Sequence, residues 1–302
     1  MTSIWETPGK PIQPGDEEGF VKVLGFNLFY RSYGKEKKGT VICLHGGPGA
    51  AHNGFRPLID LTTHGYRVIM YDQLGSDKSE VPKNKELLNV EHFVDEVDGV
   101  RTALGLGKVS LIGWSWGGML AMAYALKYQD NLKAMVTTGG PASTPLCVEE
   151  MLRLKNELPK EVQETMQKYE SEGDYENREY LKAVEVYYRR HLCRLPEWPP
   201  ELLYDVNHIS KLVYQTMWGP NEFVCVGTLR YWDITESLHE IRIPTLMTCG
   251  RYDEITPRTC RSAHEYVKGS KFEIFENSAH SGLWEERERY LELIRAFLDK
   301  HH

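Results

Sequence analysis

LIGWSWGGML, Leu111–Leu120, decides the fold. An apolar run ends at Leu111 and Ile112. Glycines at 113, 117 and 118 crowd around Ser115, and a stretch rich in Ala, Leu and Met predicts a helix from Met119 to Tyr128. A sharp strand-to-helix turn needs such glycines, because a side chain two positions either side of it strikes the adjacent strand or helix. The turn pushes one side chain into the open. Gly113-Trp114-Ser115-Trp116-Gly117 fits G-x-S-x-G, the nucleophile elbow, with Ser115 as the exposed nucleophile.

Outward from this turn, short apolar runs alternate with helical patterns. Residues 20–33 read as a strand pair turning at Gly25. Thr40–Leu44, Arg67–Tyr71, Val109–Ile112 and Leu132–Thr138 read as strands, and Val90–Leu104 has helical spacing. That alternation predicts a mostly parallel sheet covered on both faces. From about Pro141 to Tyr231 the chain becomes charged, aromatic and helical. EEMLRLKNELPKEVQETMQKYE (149–170) and YLKAVEVYYRRHL (180–192) are two helix candidates, and EWPPELL breaks the run because proline has no amide hydrogen to donate. The α/β pattern resumes with strands at Thr245–Cys249 and Phe272–Phe275 and a last helix over Glu285–Lys300. The expected organisation is an α/β core over residues 1–140 and 236–302, with a helical cap inserted at 141–235.

Bulk properties narrow the class. With 302 residues and 41% hydrophobic content, the chain can bury a sizeable core. A net charge of −7 with no basic stripe argues against a nucleic-acid partner. No apolar run approaches 18 residues, so no membrane span is expected. The N-terminal stretch MTSIWETPGKPIQPGDEEG lacks the charged-then-apolar layout of a signal peptide, which makes the cytoplasm the expected location. The terminal pair His301-His302 is given no role. The six cysteines form no CxxC pair, and Cys43 and Cys249 sit in strand-like runs as small buried apolar groups. His239-Glu240 and His264-Glu265 begin like H-E-x-x-H but lack the second histidine, so no metal is expected, and no cofactor.

A serine hydroxyl needs a base, and the base needs an orienting acid. After this type of elbow the chain order is Ser, then Asp or Glu, then His. Asp253 follows the strand TLMTCG, with Glu254 as the competing acid, and His280 follows FEIFENSA. The glycine-rich His45-Gly46-Gly47-Pro48-Gly49 directly follows the strand ending at Leu44. Its backbone amides, Gly47 foremost, pair with the amide of Trp116 as the expected oxyanion hole.

HGGPG, YDQLGSDKS (71–79), GWSWGG, GRYDEITP (250–257) and the late SAH together resemble the proline iminopeptidase family, with particular likeness to its archaeal tricorn-interacting branch. The resemblance spans essentially the whole chain. WPPELL, WGPNEF and WDIT extend it through the inserted region. It implies an α/β-hydrolase fold with a helical cap. It also implies a serine aminopeptidase that removes an N-terminal residue, preferably proline, from short peptides through an acyl-enzyme. The alternative activity is an amino-acid amide or ester hydrolase, or another carboxylic-ester hydrolase, on the same triad. Glu222 in GPNEF and Glu254 in YDE match the positions that hold the substrate ammonium. The family further implies association with a larger protease. Trp114, Trp116, Trp218 and Phe223 are candidate walls for a pyrrolidine ring. The chain departs from the family's DQxGxGxS pattern, with Ser76 and Asp77 near the place of the second glycine.

Overall fold

The computed structural model describes residues 3–301. His302 and the first two residues of the N-terminal stretch lie outside the described residues. Strands β1 (Glu17–Val23) and β2 (Phe26–Tyr33) form a hairpin turning at Leu24-Gly25. They are followed by β3 (Gly39–Leu44), a 3-10 segment at Asn53–His64 and β4 (Tyr66–Tyr71). Helix α1 (Val90–Ala103) then leads to β5 (Val109–Trp114), α2 (Trp116–Tyr128) and β6 (Leu132–Thr138). The sheet has eight strands in the order β1-β2-β4-β3-β5-β6, completed by β7 (Thr245–Gly250) and β8 (Lys271–Phe275). Pairing is antiparallel from β1 through β2 to β4 and parallel from β4 onward.

Burial on both faces explains the continuous apolar runs. Every residue of β3, β5 and β7 is buried. Alternate side chains of β3 serve opposite cores: Ile42 and Leu44 pack with Leu111, Leu120 and Val97, while Val41 and Cys43 pack with Phe55, Ile112 and Ile294. Helix α2 is buried nearly all round, as its composition requires. All six cysteines are free thiols, and five of them, including Cys43 and Cys249, are buried.

Five helices lie between β6 and β7: α3 (Thr144–Lys155), α4 (Lys160–Glu172), α5 (Arg178–His191), α6 (Pro200–Asn207) and α7 (Lys211–Met217). The stretch 149–170 is therefore not one helix. Pro159 lacks the amide a continuous helix needs and stands as the N-cap of α4. The prolines of EWPPELL both end one run and start another, since Pro200 occupies the first turn of α6, where a missing amide is harmless.

Helix α8 (Pro257–Tyr266), which the sequence pattern did not announce, opens with Thr256 accepting from Thr259 N. The last helical stretch is interrupted at Glu286, giving α9 (Gly282–Glu285) and α10 (Arg287–His301). No helix among the described residues is long and apolar enough to cross a membrane.

Candidate active site

Ser115 stands between β5 and α2 with φ 59° and ψ −123°, a strained conformation for a residue with a side chain. Its surroundings enforce the strain. A Cβ on Gly113 would lie 2.1 Å from Gly117 O, and one on Gly117 would lie 1.8 Å from Leu44 O, so neither position admits alanine. Helix α2 begins at Trp116 rather than Met119, which makes the Trp116 amide one of the orphan donors at a helix N-terminus. The Gly46–Gly49 turn packs directly on Ser115: a Cβ on Gly46 would meet Ser115 Cβ at 3.0 Å.

Gln73 joins the two loops expected to form the oxyanion hole. Its amide N donates to His45 Nε2 at 3.0 Å and its side-chain Nε2 to His45 O at 3.1 Å, while its Oε1 accepts from Trp116 Nε1 at 2.8 Å. Burial lowers the His45 pKa to about 4, so this histidine stays neutral and acts as a brace.

Asp253 and His280, 27 residues apart in sequence, meet at 2.7 Å between Oδ1 and Nδ1. The aspartate is held in turn by the amides of Ile255 at 2.8 Å and Gly250 at 3.3 Å. Trp114 fixes the histidine loop by donating Nε1 to His280 O at 2.9 Å. Gly139, with φ 53°, gives the pair room, since a Cβ there would lie 2.6 Å from the His280 ring. Helix α5 also reaches both loops: the His191 carbonyl accepts from the amides of Glu254 at 3.2 Å and His280 at 3.1 Å.

Two cavities meet at Ser115. The larger, about 840 Å³, is also lined by His280, Glu222 and Glu254, with Trp114 in its wall. The smaller, about 320 Å³, is lined by Trp116, Trp218 and the same two glutamates. The aromatic residues expected to wall one pocket are thus divided. Phe223 lines neither cavity; it is buried behind them, edge-on to Tyr187 with ring centroids 4.9 Å apart. A large ring flanked by helices found its partner in the packed interior rather than at the cavity.

Glu222 accepts a hydrogen bond from Tyr188 Oη at 3.0 Å. Desolvation raises its pKa above the usual carboxylate range, and the hydroxyls of Tyr214 and Tyr188 only partly offset that rise. Glu254 is raised well above its ordinary value, first by burial and then by the charges of Glu222 and Asp253. Its Oε2 has no hydrogen-bond partner. A buried unpaired carboxyl oxygen beside a second carboxylate is an arrangement that an incoming cation satisfies.

At the departure from the pattern, Asp77 supplies a positive φ. Asp77 adopts φ 33°, in the left-handed region that favours glycine and that aspartate tolerates. Its carboxylate accepts from Tyr204 Oη on α6 at 3.1 Å. Nearby, His52 Nδ1 bonds Asp72 Oδ1 at 2.7 Å, and these two with Asp77 form a group of candidate ligand atoms within 4.8 Å of one another.

Sequence reasoning passed over Trp5, Tyr188, Tyr214, Asp205 and Gly139. The glycine pair that follows β6 was a readable signal for Gly139; the others carried none beyond their residue types.

Comparison with known proteins gives the chain its relatives. Residues 39–287 match the family described as "alpha/beta hydrolase fold". A proline iminopeptidase of Saccharolobus solfataricus is 42% identical over 94% of this chain and 93% of its own length. The crystal structure of VinJ superimposes with a TM-score of 0.92 at 36% identity, covering 96% of this chain and 100% of that one. The crystal structure of a proline iminopeptidase from Mycobacterium smegmatis gives 0.88 at 31% identity, covering 94% and 98%.

Proposed function

The chain belongs to the proline iminopeptidases of the α/β-hydrolase family, and on that premise we propose that it is a serine aminopeptidase acting on short peptides with proline foremost at the N-terminus. Ser115, Asp253 and His280 are the catalytic triad of this reading. Residues 1–140 and 236–302 are its hydrolase core, 141–235 its cap, and the cytoplasm its place of work.

His280 Nε2 takes the Ser115 hydroxyl proton as Oγ attacks the carbonyl of the first residue. Asp253 holds the ring with Nδ1 protonated and Nε2 free to accept. The tetrahedral oxyanion receives the amides of Gly47 and Trp116. His280 then passes its proton to the leaving amine, and the acyl-enzyme remains. Water, deprotonated by His280, attacks that ester and releases the amino acid.

Glu222 and Glu254 hold the substrate ammonium, and this makes the enzyme an aminopeptidase rather than an endopeptidase. A cation about 4 Å from one carboxylate gains roughly 4 kcal/mol at an effective dielectric near 20. The observation that carries the reading is the convergence of Ser115, His280 and both glutamates on one cavity.

The test compares a proline arylamide, its N-acetylated twin and a plain aryl ester, for the wild type and Glu222→Ala. Rapid turnover of the free amine alone, lost in the variant, is the expected result. Cleavage of the blocked amide or the ester at a similar rate would instead make this a broader amide or ester hydrolase.

A further inference from the structure

The two cavities at Ser115 are not equivalent. His280 lines the larger and is absent from the lining of the smaller. Because His280 protonates the leaving amine, the part of the substrate beyond the scissile bond lies on its side. The smaller cavity, walled by Trp116, Met151, Trp218 and Ile255, then receives the first residue's side chain.

The larger cavity has a chemical bias of its own. Its apolar walls include Trp5, Phe55, Leu202, Val206 and Ile209, and among the described residues no Lys or Arg lines it. Its charged-type side chains are Glu222, Glu254 and the buried Asp205, whose oxygens accept from Asn53 Nδ2 at 2.9 Å and Gly54 N at 2.6 Å. Apart from His280, which turns cationic only while it carries the Ser115 proton, an anionic group entering this space finds acids and no cation.

The N-terminal segment builds one wall. Trp5 donates Nε1 to Leu181 O at 2.9 Å, and its ring packs on Tyr188 with centroids 5.8 Å apart. Ser3 Oγ donates to Glu185 Oε2 at 2.6 Å, and Asn207 Nδ2 donates to Ile4 O at 3.1 Å. The segment is thereby tied to α5 and α6 and sets an indole over the cavity. Tyr188 is also the partner of Glu222, so the strap touches the amine anchor through one ring.

We propose that the larger cavity is a leaving-group site that selects an apolar, uncharged second residue and rejects an anionic one, with Trp5 and Ile209 among its specificity determinants. This rests on the aminopeptidase reading. It makes substrates such as prolyl-phenylalanine amide preferred over prolyl-glycine amide, prolyl-aspartate amide and the free acid prolyl-phenylalanine.

The experiment measures kcat/KM for these four compounds with the wild type, Trp5→Ala and Ile209→Arg. The wild type is expected to favour the phenylalanine amide over the glycine amide by about tenfold or more, the discrimination a hydrophobic pocket gives a group of that size. Trp5→Ala narrows that ratio. Ile209→Arg raises the aspartate amide and the free acid relative to the phenylalanine amide, a reversal that general structural damage does not produce. Equal rates for all four wild-type substrates, or ratios unmoved in both variants, would overturn the assignment while leaving the aminopeptidase reading intact. Failure to cleave any prolyl compound would instead remove the reading on which it rests.

Discussion

Glu222 and Glu254 face both cavities that meet at Ser115, yet their surroundings differ: Glu222 accepts from Tyr188, whereas Glu254 keeps Oε2 without a partner. Two desolvated carboxyls side by side resist being ionised together, and an ammonium between them relieves that conflict.

The conflict sets the pH dependence of binding. Both carboxyls have raised pKa values, so each ionises only as pH climbs above the ordinary carboxylate range. The proposed ammonium anchor is therefore present at higher pH and is lost as pH falls through those raised values. KM for a prolyl arylamide should fall from acidic toward neutral pH, then rise once the substrate amine itself loses its proton at about pH 8. A neutral aryl ester has no ammonium to lose and should show no such KM profile. Glu222→Gln should raise KM for the amine substrate roughly tenfold to hundredfold, the worth of one charged hydrogen bond. An unchanged KM in that variant would assign the anchor elsewhere.

Asp253→Asn tests the orientation of His280. The asparagine preserves shape but presents an amide N–H or a neutral oxygen to Nδ1, and so favours the wrong ring tautomer. We expect kcat to fall on the order of 10³–10⁴-fold, with the circular-dichroism spectrum unchanged. A loss below about tenfold would mean that another acid, Glu254 being adjacent, orients the ring.

Gly139→Ala probes the space behind the dyad. A methyl there would stand 2.6 Å from the His280 ring and 3.0 Å from Asp253 Oδ2, on a backbone with φ 53°. The positive φ alone costs about 1 kcal/mol for a residue with a Cβ. Thermal denaturation should show a modest loss of stability, and reaction with a serine-directed phosphonate should slow far more than that loss explains. Labelling at the wild-type rate would mean that the dyad tolerates displacement.

What was legible in the sequence follows the range of the forces involved. The elbow, the glycine-rich turn after β3 and the order Ser115, Asp253, His280 are local patterns tied to strand ends, and residue type with position suffices to read them. The region between β6 and β7 was readable only as helical. Proline marks where its helices break, but which faces meet depends on packing between segments far apart in the chain. Phe223 and Tyr187 illustrate this, since nothing local distinguishes an aromatic ring bound for the interior from one bound for the cavity. Trp5 and Tyr188 lie 183 positions apart, and their contact exists only because the N-terminal segment is bonded to α5. Asp77, a departure from pattern in sequence, adopts φ 33°, in the region that favours glycine.

Trp116 has two separable parts, a backbone amide assigned to the oxyanion and a ring braced by Gln73. Trp116→Phe keeps the amide and removes Nε1, leaving the buried Gln73 Oε1 without its donor. It also trims a ring packed edge-on against Phe93 at a centroid distance of 5.7 Å. The unsatisfied oxygen alone costs about 1–3 kcal/mol, and in a chain of this size each kilocalorie lowers Tm by roughly 1–2 °C. Gln73 still holds the other loop through both bonds to His45, so the relative placement of the two amides is only loosened. The expected pairing is a Tm lower by several degrees with kcat reduced less than about tenfold. A kcat loss of 10²-fold or more at an unchanged Tm would place the indole itself in contact with the reacting groups.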